Sequence, residues 1–74
     1  MLGKLGIRIR KIRKRLGLTQ YQLADMVRAD VSTINKIENN KARPSLDMLD
    51  KIAAALGVSL AELLDESPPK AVGE

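Results

Sequence analysis

The sequence predicts an all-α protein, a compact bundle of short helices around one apolar core. Apolar residues recur three and four positions apart in successive short segments, which is the spacing of one helix face. Between those segments stand residues that start and stop helices: Thr19, Asp30, Ser45 and Ser59 at beginnings, Gly17 and Gly57 at ends. The core must come from Leu, Ile, Val, Ala and Met, because the chain has no Cys, Trp or Phe and one Tyr. With 74 residues it makes one small domain, which buries only about 60% of its unfolded surface.

The first helix is expected over 5–16. Leu5, Ile9, Ile12 and Leu16 step by four, three and four, and Gly17 bounds the segment. The rest of its surface carries Arg8, Arg10, Lys11, Arg13, Lys14 and Arg15. Cations in a last turn complement the helix dipole, so part of this charge is helix stabilisation. A basic amphipathic helix can also lie on an anionic membrane. The apolar face here is short and lacks aromatic anchors, so burial in the core is the better account.

Residues 19–40 read as two short helices joined by a tight turn. Thr19 with Gln22 three residues later makes a capping box. Leu23, Ala24 and Val27 follow on one face, and the run breaks at Arg28-Ala29. Asp30 is a second N-cap candidate, with Ile34 and Ile37 as the buried side of the next helix. At about 100° per residue from Ile34, the residues Ser32, Asn35, Lys36 and Asn39 cluster on the outer face. Any surface helix has a polar face. This one carries hydrogen-bonding groups and one cation but no carboxylate, which suits a DNA major groove, where base edges offer donors and acceptors.

Beyond Pro44 the chain reads as scaffold. Ser45 caps a helix with Leu46, Leu49, Ile52, Ala53 and Leu56 inside, ended by Gly57. Ser59 and Glu62 form another capping box, which opens a short helix with Leu60, Leu63 and Leu64. These leucines either complete the core or leave a patch for a second copy of the chain. Residues 1–65 are expected to be the folded domain. The Glu-Ser-Pro-Pro-Lys-Ala-Val-Gly-Glu stretch at 66–74 is expected to be a disordered tail.

Composition excludes several classes. Without Cys or His there is no disulfide framework and no Cys/His metal site. Neither a metal nor a cofactor is expected. No convergent carboxylate pair appears, so no catalytic constellation is visible and an enzyme is not expected. No apolar run approaches the ~20 residues of a membrane span, and no signal-peptide pattern opens the chain. A cytoplasmic protein is therefore expected. Charge is uneven. Residues 1–43 hold eleven Lys/Arg against three acids, a balance of +8, while 44–74 hold two Lys against six acids, a balance of −4. Such a dipolar molecule turns its basic side toward a polyanion.

Glu38 stands beside the apolar side of its helix, next to Ile34 and Ile37, where a lone carboxylate is costly. It needs a cationic partner, and Arg13 flanks the apolar face of the first helix. Such a pair mainly fixes geometry.

A long set of residues now points one way. It runs Leu5-Gly6, Arg8-Ile9-Arg10, Ile12-Arg13, Gly17-Leu18-Thr19-Gln20 and Leu23-Ala24, then Ser32-Thr33-Ile34-Asn35-Lys36-Ile37-Glu38-Asn39. It continues through Lys41, Arg43-Pro44-Ser45, Leu49, Ile52-Ala53, Ala55-Leu56-Gly57-Val58-Ser59 and Leu63-Leu64. From Leu5 to Leu64 the chain resembles the phage-repressor and Cro-type helix-turn-helix domains, the XRE family. The combined pattern is specific, although each piece alone is weak.

The resemblance implies a lambda-repressor-like bundle of four to five helices. It implies a sequence-specific regulator of transcription, a repressor by expectation, that binds double-stranded DNA. Its recognition helix, at about 31–39, would lie in the major groove. By position, Val31, Ser32 and Lys36 would face bases, with Asn35 at the edge of that set. Gln20 would hold a backbone phosphate at a helix N-terminus, where anions are favoured. Asn39, Lys41 and Arg43 would hold phosphates beyond the recognition helix. An Arg13–Glu38 structural ion pair is implied as well. The family commonly has Gly where this chain has Arg28 and again where it has Asn40. Asn tolerates the left-handed conformation that Gly allows better than Arg does, so the turn at Arg28 is the departure that bears on local geometry.

One recognition helix reads few base pairs, so a homodimer on an inverted-repeat operator is expected, with Leu60–Leu64 as the candidate interface. An antitoxin or protein-interaction adaptor of the same fold is the alternative. Single-stranded nucleic acid is disfavoured, since Tyr21 is the only aromatic residue and makes no stacking platform.

Overall fold

Residues 4–64, the part of the computed structural model that is described, form five α-helices and no strand. They are α1 (Leu5–Arg15), α2 (Gln20–Val27), α3 (Val31–Glu38), α4 (Leu46–Leu56) and α5 (Leu60–Leu64). The expected tail at 66–74 lies outside the described residues. Helix α2 packs on α3 and α4, α1 packs on α3 and α5, and α4 packs on α5. The core takes Leu5 and Ile9 from α1, Leu23 and Val27 from α2, and Ile34 and Ile37 from α3. Leu49, Ile52, Leu56 and Leu63 close it from the other side. Every helix thus contributes an apolar stripe at helical spacing. Among the described residues no helix is long and apolar enough to cross a membrane.

The caps follow the sequence. Thr19 and Gln22 exchange both bonds of the capping box, at 3.0 and 2.8 Å. Ser59 and Glu62 do the same at 3.0 and 2.8 Å. Ser45 Oγ accepts from the Met48 amide at 3.1 Å. Asp30 departs from expectation. It stands at the N-cap of α3, but its side chain takes no amide. Its own carbonyl takes the Thr33 amide at 3.0 Å, the amide that Thr19 and Ser59 cap with a side chain at the equivalent position.

Four helix ends share one device, a left-handed residue after the last turn. These residues are Gly17, Arg28, Asn40 and Gly57, with φ of 76°, 58°, 59° and 72°. At each, the next amide reaches back to the fifth carbonyl before it, as in Leu18 to Arg13 and Ala29 to Ala24. Orphan carbonyls of the last turn are satisfied in this way.

Two leucines are not where periodicity puts them. Helix α1 ends at Arg15, and Leu16 is 51% exposed. The reversal at Gly17 brings Leu18 back against the core in its place. Leu46 is 67% exposed. It is the first residue of α4, and side chains there lean toward the helix start, past the edge of the packed layer. Of the α5 leucines, Leu63 is fully buried, while Leu60 and Leu64 are half-buried against the core.

Candidate nucleic-acid interface

Helix α3 is held by its inner side. Ile34, Ile37 and Glu38 are buried. Ser32, Asn35, Lys36 and Asn39 are exposed, so the carboxylate-free polar face is presented to solvent. Val31 is half-buried, packed in part against the core. Lys41 and Arg43 are exposed in the segment after α3. The turn at Asn40 starts that segment, and the Lys41 amide bonds the Lys36 carbonyl at 2.7 Å.

The buried end of α3 carries an ion pair. Arg13 Nε donates to Glu38 Oε2 at 2.6 Å, and Nη2 donates to Oε1 at 3.0 Å. Arg13 is 6% exposed and Glu38 3%. Arg13 Nη1 also donates to the Leu18 carbonyl at 2.7 Å. The guanidinium therefore ties α1, the turn after it, and α3. Two parallel bonds between planar groups fix orientation as well as distance.

Gln20 extends this network. Its Nε2 donates to Glu38 Oε1 at 3.0 Å, and its Oε1 accepts from Asn35 Nδ2 at 3.4 Å. The first residue of α2 is thus clamped between the ion pair and the outer face of α3. For an anion, Gln20 retains one further N–H on Nε2. The start of α2 adds main-chain amides. Gln22 N is capped by Thr19 Oγ1 and Leu23 N by the Thr19 carbonyl, so the Gln20 and Tyr21 amides head the helix. Asn39 folds back on its own helix, Nδ2 donating to the Asn35 carbonyl at 2.9 Å.

Sequence reasoning missed both Gln20 bonds and the tight seat of α1 on α3. The Gly6 amide donates to Asn40 Oδ1 at 3.3 Å. The only signal for that seat was a glycine inside an amphipathic helix, which costs about 1 kcal/mol against Ala and so asks for a packing reason.

Two short helices joined by a tight turn, the second with a buried side and a polar outer face, define a helix-turn-helix protein. The helix-turn-helix family model matches residues 9–63, and the chain belongs to that family, of the XRE type. It is 39% identical to an immunity repressor of Bacillus phage phi105 over 84% of this chain and 43% of the repressor. It is 38% identical to the transcriptional regulator SinR of Bacillus subtilis, over 84% of this chain and 57% of SinR. The chain therefore spans about half the length of these two relatives. A structure of SinR, the master regulator for biofilm formation, in complex with DNA superposes with a TM-score of 0.78. There the identity is 37%, over 82% of this chain and 98% of that one. The restriction-modification controller protein C.AhdI of Aeromonas hydrophila gives a TM-score of 0.81 at 35% identity, over 84% of this chain and 94% of that one.

Proposed function

We propose that this chain binds a specific double-stranded DNA sequence and acts as a transcriptional regulator, most simply a repressor. The observation that carries it is the exposed, carboxylate-free face of α3, beside the N-terminus of α2 and followed by Lys41 and Arg43. In this reading α3 enters the major groove. Ser32 and Lys36 bond base edges, Val31 packs on a thymine methyl with what it leaves exposed, and Asn35 lies at the edge of the set. Gln20, Asn39, Lys41 and Arg43 hold phosphates on either side. That SinR has been crystallised with DNA supports the same use of the fold here.

The chain acts on DNA as a homodimer, since a single recognition helix contacts too few base pairs. Its two half-sites lie about 34 Å apart, roughly one turn of duplex. Helix α5, with Leu60 and Leu64 half-buried, is the proposed contact between copies. Selecting bound duplexes from a random pool tests all of this at once. The expected outcome is one consensus with inverted symmetry and that spacing. A consensus without symmetry removes the dimer, and no enrichment removes DNA binding.

A further inference from the structure

Glu38 is a carboxylate clamped by Arg13, and a carboxylate offers only acceptors. That constrains its neighbours in turn. Gln20 has to present its NH2 group to Glu38 Oε1, at 3.0 Å. Gln20 Oε1 then faces the other way and accepts from Asn35 Nδ2, at 3.4 Å. Asn35, an exposed residue of α3, accordingly spends one of its two N–H groups on Gln20, and its Oδ1 is its one side-chain acceptor. Nitrogen and oxygen of an amide are ordinarily assigned from their surroundings. Here the ion pair decides the assignment. Reversing Gln20 would set a carbonyl oxygen against the carboxylate, and reversing Asn35 would set two carbonyl oxygens against each other.

We infer that the Arg13–Glu38 pair, acting through Gln20, makes Asn35 present a hydrogen-bond acceptor to DNA, so that Asn35 takes the amino group of adenine or cytosine. This rests on the DNA-binding reading above and names the base chemistry read by one residue of it. In the major groove adenine N6 and cytosine N4 are the donors, whereas guanine O6 and thymine O4 are acceptors. Asn35 touches the base. Gln20 and Glu38 are positioning residues, and the polarity they transmit comes from a charge buried in the core.

The position that Asn35 reads is the base pair whose preference relaxes when selection from a random duplex pool is repeated with Asn35→Ala. At that pair single groups are then removed. Purine replaces adenine, or 2-pyrimidinone replaces cytosine, to delete the amino group. On the partner base, 5-methyl-2-pyrimidinone replaces thymine, or 2-aminopurine replaces guanine, to delete the carbonyl. Each duplex is titrated with the parent chain, Asn35→Ala and Gln20→Leu. Loss of the amino group should weaken the parent on the order of tenfold more than it weakens Asn35→Ala. Loss of the carbonyl should weaken both alike. Gln20→Leu should bind every duplex less well and show no excess loss for the amino group. The inference is overturned if Asn35→Ala relaxes no position, if the excess follows the carbonyl, or if the amino excess survives Gln20→Leu. Should the parent enrich no sequence at all, the DNA-binding reading fails first and this one with it.

Discussion

Gly6 and Asn40 meet where α1 crosses the end of α3, the Gly6 amide donating to Asn40 Oδ1 at 3.3 Å. A Cβ on Gly6 would stand 2.5 Å from the carbonyl oxygens of both Ile37 and Glu38. These are main-chain atoms and cannot swing aside. Gly6 is the second residue of α1, so Gly6→Ala would gain less than the ~1 kcal/mol of a helix interior. Overpacking against backbone costs about 1–3 kcal/mol, and here it also pulls α1 off the ion pair. The expected result is a net loss of stability in denaturant unfolding. A Gly6→Ala variant that unfolds at the parent's midpoint or above would mean that α1 shifts freely on α3.

The two non-glycine left-handed residues should respond differently to glycine. Arg28, at φ 58°, is exposed. Left-handed backbone costs an L-residue about 1–2 kcal/mol, so Arg28→Gly should be neutral or stabilising by about 1 kcal/mol. Asn40, at φ 59°, bears less strain because Asn suits this region. Its side chain also bonds Gly6, so Asn40→Gly should lose stability slightly. Thermal melts of the two variants check the contrast, and a matching gain at both positions would mean that the Gly6 bond contributes nothing.

Removing Glu38 strands a buried guanidinium. Glu38→Ala should cost about 3–5 kcal/mol, the usual loss when one partner of a buried pair goes. Replacing both charges, as Arg13→Met with Glu38→Leu, should cost less than Glu38→Ala alone, because the desolvation penalty leaves with the pair. Equilibrium unfolding of parent, single and double variants measures this. If the double variant is the least stable, the pair itself is the net stabiliser.

Lys36 and the two cations after α3 should separate reading from holding. Lys36 lies mid-helix on the exposed face, while Lys41 and Arg43 follow the Asn40 turn. A lysine on guanine O6/N7 discriminates by about 1–3 kcal/mol, so Lys36→Ala should relax one position per half-site. Lys41→Ala and Arg43→Ala should weaken selected and scrambled duplexes alike and flatten the salt dependence by about one unit per phosphate contact. Titration of each variant on both duplexes at several salt concentrations decides it. Equal losses on both duplexes for Lys36→Ala would make Lys36 a phosphate contact.

The sequence by itself determined most of what depends on residues three or four apart, the Asp30 cap and the placing of Leu16 and Leu46 excepted. The capping boxes at Thr19–Gln22 and Ser59–Glu62, the stops at Gly17 and Gly57, and the apolar stripes all close within one helical turn. The carboxylate-free face of α3 is legible for the same reason. The need for a cation beside Glu38 is legible too, because a lone carboxylate among apolar neighbours asks for one. Only the tertiary structure decided how the helices cross, and several features follow from that crossing. It seats Gly6 on the α3 carbonyls and brings Gln20 between Glu38 and Asn35. Crossing angle and offset are set by how all five apolar stripes fill a common core, and no single stretch of sequence carries that information. The polarity of Asn35 belongs here as well, for it depends on a carboxylate that α3 holds against α1.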